Sequence, residues 1–451
     1  MSIGPFKLTV EEAVAEVRAR GAKLGTYVST RLEAALEDAE ARSREKRRSV
    51  LHRVPYGLKD EWETIALPTT AGSWRHRHRR PHVDSRVFTT FRDAGAVLVG
   101  KTNLSDMGLV AESTSWVGGA CRNPHDPSRS AGGSSGGAAC AIAAGMQAFD
   151  WGTDIGGSIR IPAAFCGILG LRLSSSCWPI EGLFPRLPAG IGWMCGQGPL
   201  ARTTDELRAV LDVARPTLRT GPVRPFELSG AVIYAPDHAG QWAGFADEVR
   251  PHVRRSVDGD IVMNPQLPPM SKVRSTYGAM WASHFEELLP CDESISLRDA
   301  IGAVASAVVF RGRFGDRRFH PLTAELLGLI VLGRAIYRDR TAVLDEALKV
   351  KSAFEALWDR GLLVVSPVSC YPPPRIGETN RNMRLAECCM PGNIADATCL
   401  ALPFGRFGHL PRGIQLMGPP GSEEILLDVA DWFLASSAPP SVHRDFAHSP
   451  K

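Results

Sequence analysis

The stretch AGGSSGGAACAIAAGMQAFDWGTDIGGSIR, residues 131–160, places two glycine–serine turns around a short helix and a short strand. The small residues of Gly136–Gly145 favour a helix, and Met146–Trp151 favours a buried strand. The second glycine-rich turn leads into a further helix around Pro162–Cys166. This succession of elements indicates an α/β fold with a largely parallel or mixed sheet covered on both faces.

The same alternation extends in both directions from this stretch. Ser85–Ala94 favours a helix and Ala96–Gly100 a buried strand, while Leu362–Ser366 favours a strand near the other end. Apolar spacing also predicts helices over Tyr27–Ala41 and Ala300–Val309. We therefore predict one large α/β/α sandwich with a mixed, mostly parallel, twisted central sheet.

The composition is that of an ordinary globular protein. Of 451 residues, 44% are hydrophobic and 22% are charged, and the net charge of +4 is too small to indicate nucleic-acid binding. The longest apolar run, Leu326–Leu332, is far shorter than a bilayer span, and the N-terminus lacks the apolar core of a signal peptide. We expect a cytoplasmic protein. Its ten cysteines are scattered without CxxC spacing, so neither a disulfide framework nor a zinc site is predicted.

The first glycine–serine run, Gly132–Gly137, has two interpretations. Runs of glycine and serine commonly form flexible linkers. This run, however, lies between strand and helix patterns, where a linker makes little sense. A glycine-rich turn that feeds a helix N-terminus places a serine hydroxyl where backbone donors are free, and we favour this interpretation.

The second run, Gly152–Arg160, carries two glycines directly before Ser158. Glycines there let the backbone bend sharply and turn consecutive N–H groups toward one point, as an oxyanion hole requires. A phosphate-binding loop is the competing interpretation. That loop would place a lysine after its last glycine, whereas Ser158 and Ile159 stand there.

Lys59 stands at the end of a strand-like segment, in Gly57-Leu-Lys-Asp60. A lone lysine at a strand end is most often a surface charge. The sequence offers no Ser-His-Asp arrangement for its candidate serines, however. Ser-Lys pairs are a known alternative, in which burial makes lysine a base.

Taken in order, these three segments resemble the amidase-signature family. Ser134 and Ser158 stand 24 residues apart, and Lys59 stands 75 residues before Ser134; both intervals are typical of that family. The resemblance is dense over residues 53–206 and looser over 391–427. Further similar segments are Pro68–Ser73, Gly100–Asn103, Asn123–Pro127, Pro162–Gly167, Gly198–Arg202 and Ser366-Pro367.

The resemblance implies a Ser-Ser-Lys triad, with Ser158 as nucleophile, Ser134 as proton bridge and Lys59 as base. It also implies a cis Gly133–Ser134 peptide and a reaction that needs neither a metal nor an organic cofactor. Backbone N–H groups are expected to form an oxyanion hole, and three side chains to support the site, with Asp154 and Arg160 as a structural ion pair. The oxyanion residues are Ile155, Gly156, Gly157 and Ser158, and the supporting residues are Ser135, Asp154 and Arg160.

Three functions are compatible with this resemblance. The first is hydrolysis of a linear, small-molecule amide through an acyl-enzyme. The second is amide formation or amidotransfer, in which an amine captures the same acyl group; the glutamyl-tRNA amidotransferase subunit is an example, although little of its specific signature is visible outside the shared core. The third is a non-catalytic binding relative, which the filled triad positions disfavour.

We assign residues 1–437 to one amidase-signature domain and residues 438–451 to a loose tail. Within the domain, the core motifs occupy 53–206, a variable helical segment occupies 215–350, and the core returns over 360–437.

Substrate choice is assigned to the variable segment. Met280, Trp281 and Leu326 are the predicted pocket residues, by loose similarity to fatty-acid-amide-hydrolase-like members, although core packing would explain them equally well. The basic run Trp74–Arg80 is either a solvated loop or a site for an acidic substrate or carrier protein. A homodimer is left open, and no nucleic-acid partner or membrane span is expected.

Overall fold

The strands form one large sheet and one small hairpin. The computed structural model describes residues 4–436, with gaps at 179, 224, 238–239, 258, 264–266, 285–301 and 303–318. The strands are β1 (Tyr27–Thr30), β2 (Pro55–Lys59), β3 (Val97–Thr102), β4 (Thr114–Ser115), β5 (Gly119–Ala120), β6 (Phe149–Asp154), β7 (Leu169–Arg172), β8 (Gly196–Ala201), β9 (Gly230–Ile233), β10 (Asp260–Met263), β11 (Leu362–Pro367), β12 (Thr398–Phe407) and β13 (Leu410–Gly418). Among these, eleven form the sheet in the order β1-β3-β2-β6-β8-β7-β12-β13-β11-β9-β10, and β4 pairs with β5.

Helices flank the sheet, and several begin at side-chain caps. The α-helices are α1 (Val10–Glu16), α2 (Ala22–Leu24), α3 (Leu32–Ser43), α4 (Arg86–Asp93), α5 (Gly136–Ala143), α6 (Arg160–Cys166), α7 (Ala189–Gly192), α8 (Thr204–Leu218), α9 (Phe245–Ser256), α10 (Met270–Ser283), α11 (Pro321–Ile336), α12 (Arg340–Trp358), α13 (Met390–Ile394) and α14 (Glu423–Ser436). A π-helical turn, Val17–Gly21, joins α1 to α2, and short 3₁₀ turns occupy Trp74–His76, Asp106–Gly108 and Thr379–Arg381. Thr203 and Glu206 form a reciprocal capping box at the start of α8. Within the described residues, the helices are too short or too polar to cross a bilayer.

Around β3 and β8, two hydrophobic clusters lie on opposite faces of the sheet. Leu98 and Val99 of β3 belong to different clusters, as do Leu200 and Ala201 of β8. Successive residues of a strand point to opposite faces, so the clusters mark the two sides. Helix α5 packs into one cluster and α8 into the other. The predicted α/β/α layering is therefore confirmed.

The sheet is mixed, as expected, but antiparallel pairings outnumber parallel ones. Of the ten pairings between neighbouring strands of the described sheet, six are antiparallel and four are parallel. The parallel pairings form two blocks, β3-β2-β6 and β11-β9-β10, on either side of an antiparallel centre. One physical reason is the connection between β12 and β13, where Phe407 pairs with Leu410 across a two-residue turn. So short a connection can join only antiparallel strands.

The N-terminal region differs from the prediction at Tyr27–Thr30, which is a strand and not the start of a helix. β1 pairs with β3 at the sheet edge, and α3 begins only at Leu32. Tyrosine, valine and threonine favour strands, and pairing with β3 satisfies the backbone groups of β1. The segment 215–350, predicted to be mainly helical with a strand at Ala231–Ala235, supplies that strand as β9 and also the unpredicted β10. The predicted helix Ala300–Val309 lies outside the described residues, apart from Gly302.

Two parallel strands deliver Lys59 beside the second glycine–serine turn. β2 ends at Lys59 and β6 at Asp154, and the strands pair with Leu58 opposite Trp151. Parallel strands have their carboxyl ends at the same edge of the sheet, where α/β proteins commonly bind ligands. The pairing therefore brings Lys59 close to Thr153.

Asp150 is a buried carboxyl near the start of β6. It is fully buried and accepts hydrogen bonds from the Thr102 hydroxyl at 3.0 Å and the Gln147 amide at 2.8 Å. Burial raises the pKa of Asp150 from its usual 3.8 to about 6, although both hydrogen bonds act in the opposite direction. Between these pH values the folded protein holds a proton on Asp150 that the unfolded chain releases.

We predict that Asp150 makes the protein less stable as the pH rises from about 4 to about 6. The stabilisation is fully present below the pKa that Asp150 has in the unfolded chain. It is lost above the pKa that Asp150 has in the folded protein, where the buried carboxyl is charged. Asp150→Asn cannot titrate, so its unfolding free energy relative to wild type should rise by up to about 3 kcal/mol over this interval. Urea unfolding at a series of pH values measures the difference, and a difference independent of pH contradicts the prediction.

Candidate active site

Lys59 is buried and faces a serine hydroxyl instead of solvent. Its side chain is 0% exposed, and Nζ donates to Ser134 Oγ at 2.7 Å and to Thr153 Oγ1 at 2.8 Å. The alternative interpretation of Lys59 as a surface charge is thereby excluded. Two residues that stand 75 positions apart are in direct contact.

Glu61 completes the surroundings of the Lys59 amine, and its role was not predicted from the sequence. Glu61 Oε2 lies 3.1 Å from Lys59 Nζ and accepts a hydrogen bond from the Thr153 hydroxyl at 2.7 Å. The Glu61 side chain is only 7% exposed. Lys59, Thr153 and Glu61 therefore form a closed polar network. The sequence does place an acidic residue two positions after the candidate base, and this spacing was the one available sign of its role. Its partner Thr153, however, comes from another strand.

Hydrogen bonds hold the first glycine–serine turn at Ser134 and at the residues that follow it. The Gly133–Ser134 peptide is cis, as the family resemblance implied. The Ser113 hydroxyl donates to the Ser134 carbonyl oxygen at 2.8 Å and accepts from the Gly136 N–H at 2.7 Å. The Ser135 N–H donates to the Ser158 carbonyl oxygen at 3.1 Å. Ser135 thus joins the two turns through its backbone.

The second turn brings Ser158 to the wall of a cavity, together with Ile155 and Gly156. Gly157 has a φ of 104°, in the left-handed region that favours glycine. Its N–H donates to Asp154 Oδ1 at 2.9 Å, so this member of the predicted oxyanion set is already engaged. Within the described residues, the N–H groups of Ile155, Gly156 and Ser158 have no partner.

Asp154 and Arg160 form the predicted ion pair beneath this turn. Both side chains are fully buried, with Arg160 Nη2 2.8 Å from Asp154 Oδ1. Arg160 also donates to Asn393 Oδ1 and to Gln415 Oε1, each at 2.7 Å. Burial by itself would raise the pKa of Asp154, but the Arg160 guanidinium outweighs it and holds that pKa well below its usual range. The pair is therefore charged at any working pH and fixes the turn.

The cavity at Ser158 has a volume of about 430 Å³ and largely apolar walls. Of the three predicted pocket residues, Trp281 and Leu326 line it. Met280 does not: it is fully buried in the core, because successive residues of a helix point about 100° apart and its side chain leaves α10 in a different direction from that of Trp281. Arg274 adds a charge at the wall, 3.3 Å from Glu387. Residues that line the cavity include Leu109, Ile155, Gly156, Ser158, Tyr277, Trp281, Leu326 and Ile330.

The basic run Trp74–Arg80 is partly tied to the protein. Arg77 stacks on Trp74 with its guanidinium carbon 4.6 Å from the ring centroid. Arg79 pairs with Glu63 and lies 3.8 Å above the Phe184 ring. Part of this positive charge is thus neutralised internally. In the described part of the chain, His, Cys, Asp and Glu side chains form no group of three or more that could hold a metal ion.

Comparison with known proteins places these motifs in a family. The family model described as Amidase matches residues 9–219. A glutamyl-tRNA(Gln) amidotransferase subunit of Anaeromyxobacter sp. (strain K) is 31% identical over an alignment of 459 residues, covering 93% of this chain and 91% of that relative.

Solved structures agree in fold. A crystal structure of an amidase is 26% identical with a TM-score of 0.72, and the match covers 94% of this chain and 95% of that one. The native peptide amidase of Stenotrophomonas maltophilia has a TM-score of 0.73 at 24% identity and covers 96% of this chain and 94% of its own. With a relative of 31% identity matched over nearly its whole length, the chain belongs to the amidase-signature family.

Proposed function

We propose that this chain breaks a carbon–nitrogen amide bond by transferring the acyl group to Ser158, with Ser134 as proton bridge and Lys59 as base. The observation that carries the proposal is the 2.7 Å hydrogen bond between Lys59 Nζ and Ser134 Oγ, in a place closed to solvent. A base so placed can activate a serine nucleophile without histidine. Membership of the amidase-signature family supports the assignment.

The proposed reaction begins when Ser158 Oγ attacks the carbonyl carbon of the amide. The Ser158 proton passes to Ser134, and the Ser134 proton passes to the neutral amine of Lys59. The carbonyl oxygen becomes an oxyanion, which the free N–H groups of the second turn can stabilise. When the carbonyl re-forms, the carbon–nitrogen bond breaks, and the relay returns the proton to the leaving amine. Water or another amine then attacks the acyl-enzyme and frees Ser158.

Glu61 and Thr153 have a supporting role in this scheme. Each holds the Lys59 amine by a contact of about 3 Å, so the amine cannot rotate away from Ser134. When Lys59 takes up the proton it becomes an ammonium, and the neighbouring Glu61 supplies the opposite charge where water cannot.

Capture of the acyl group or of the released amine by a second substrate is the other candidate function. The relative that matches 93% of this chain belongs to an amidotransferase. This similarity favours transfer over the simple hydrolysis that the sequence motifs placed first. Because that relative is one subunit of its enzyme, the similarity also supports assembly of this chain with other chains. A panel of primary amides, assayed with and without an amine or carboxylate acceptor, separates the two functions when acid and free amine are both quantified. Acid and free amine in equal amounts, unchanged by the acceptor, indicate hydrolysis, whereas a new amide on the acceptor indicates transfer.

We predict that Ser158→Ala lowers amide turnover more than about 10⁴-fold, because it removes the nucleophile itself. Ser128→Ala is the matched control, since Ser128 is exposed and its hydroxyl donates to the nearby Asp126 carboxylate. Release of the amine measures turnover, and labelling by a fluorophosphonate should disappear in Ser158→Ala alone. The assignment of the nucleophile fails if Ser158→Ala keeps a tenth of wild-type turnover.

We predict that Lys59→Met lowers turnover at least about 10²-fold, the usual contribution of a general base. Glu61 would lose its buried partner in this variant, so stability must be measured too. The double variant Lys59→Met with Glu61→Gln should regain stability but not turnover. Lys349→Met, at a side chain that is 72% exposed, is the control. A double variant that recovers both properties would show that Lys59 is only structural.

We predict that Trp281→Ala and Leu326→Ala change the ranking of substrates by roughly 10- to 200-fold, the range over which an apolar pocket discriminates. Met280→Ala, on the same helix but in the core, should instead lower stability by about 2–5 kcal/mol and leave the ranking unchanged. Specificity constants for a series of amides and urea unfolding measure the two effects. An unchanged ranking in both pocket variants would place substrate choice elsewhere.

A further inference from the structure

The hydroxyl of Tyr277, on α10, contacts the turn that carries the nucleophile. It donates a hydrogen bond to the Ile155 carbonyl oxygen at 2.9 Å. Burial raises the pKa of the Tyr277 phenol, which therefore remains protonated and able to donate. No other hydrogen bond to this carbonyl is found among the described residues.

Tyr277 also packs directly against Gly156. A Cβ atom built on Gly156 would lie 2.6 Å from the Tyr277 hydroxyl oxygen and 3.4 Å from the ring carbon that bears it. The nearest neighbours of that position all belong to this phenol. The phenol thus touches both residues of the Ile155–Gly156 peptide.

The geometry of a peptide links this contact to the reaction. The Ile155–Gly156 peptide is trans, so its carbonyl oxygen and its N–H point in opposite directions. A hydrogen bond that fixes the Ile155 carbonyl therefore fixes the Gly156 N–H, which has no partner of its own within the described residues. If this peptide rotated, a carbonyl oxygen would replace the N–H and repel an oxyanion.

We propose that Tyr277 is a positioning residue, whose hydroxyl aims the Gly156 N–H at the carbonyl oxygen of the substrate. This inference rests on the proposed function, because it gives the Gly156 N–H a place in the oxyanion hole. Tyr277 belongs to the segment 215–350, which was predicted from sequence to govern substrate choice alone. The inference gives that segment a part in the rate of reaction as well.

Tyr277→Phe is the first test, since it removes only the hydroxyl. We expect kcat to fall by about 10- to 100-fold, less than the loss of a direct oxyanion donor, while KM stays within about 3-fold. Trp281→Phe, also at the cavity wall, should alter KM more than kcat. A Tyr277→Phe enzyme with wild-type kcat, or with a change confined to KM or to thermal stability, overturns the inference.

A double-variant cycle tests the contact with Gly156. Gly156→Ala should lower kcat at least about 10-fold in the wild-type background, because the new methyl group collides with the Tyr277 hydroxyl. In the Tyr277→Phe background the ring atom nearest to the new methyl group lies at an ordinary contact distance. Adding Gly156→Ala to Tyr277→Phe should therefore lower kcat by less than about a further 3-fold. If the fold-changes in kcat of the two single variants simply multiply in the double variant, the two residues act independently and the inference is overturned.

Ser158→Ala separates a failure of this inference from a failure of the proposed function. If Ser158→Ala is inactive and Tyr277→Phe keeps its kcat, the function stands and the role of Tyr277 falls. If Ser158→Ala turns over amide like wild type, the proposed function falls and the inference falls with it. Fluorophosphonate labelling of Tyr277→Phe should remain complete at saturation but become slower, which shows that Ser158 is still present and accessible.

Discussion

A carboxylate removed from water must find its hydrogen bonds and its counter-charge inside the protein, and at Asp154 this requirement organises the turn that carries Ser158. Asp154 accepts from the N–H groups of Gly157 and Ile159 and from the guanidinium of Arg160. Arg160 in turn reaches Asn393 and Gln415, more than 200 positions along the chain. One buried ion pair thus holds the turn with Ser158 against the C-terminal part of the fold.

The sheet supplies the second constraint. Because β2 and β6 are parallel neighbours, Lys59 and Thr153 emerge at the same edge, where the Ser134 turn closes over them. The candidate base is therefore held by two hydroxyls and the Glu61 carboxylate without help from solvent. Such fixed surroundings are what a proton relay needs, since its partners must already be in place when the bond to the substrate forms.

Prediction from the sequence succeeds where information is local. The two glycine–serine runs are turns at the starts of short helices, as their consecutive residues indicate. The contact between Lys59 and Ser134, 75 positions apart, was expected from the family resemblance and not from a local pattern. Prediction fails where the outcome depends on a distant partner. Tyr27–Thr30 becomes a strand because β3 lies beside it.

The site shows the same division. Glu61 joins the site through Thr153 on another strand, a contact that its position in the sequence does not reveal. Gly157 is an exception, because its N–H bonds to Asp154, three positions earlier in the same turn. Met280 and Trp281 are adjacent in sequence, yet only one of them faces the cavity, since the orientation of α10 depends on how the helices pack.

The burial of Lys59 and Glu61 also determines which parts of the protein respond to ionic strength. Counterions screen charges that they can approach, and their influence fades over about 10 Å in a dilute salt solution. They cannot enter the space between Lys59 and Glu61, whose side chains are 0% and 7% exposed. They can surround the exposed arginines near Trp74, such as Arg75 and Arg80. Ionic strength therefore acts on what approaches this protein from outside, while dissolved ions do not reach the contact between Lys59 and Glu61.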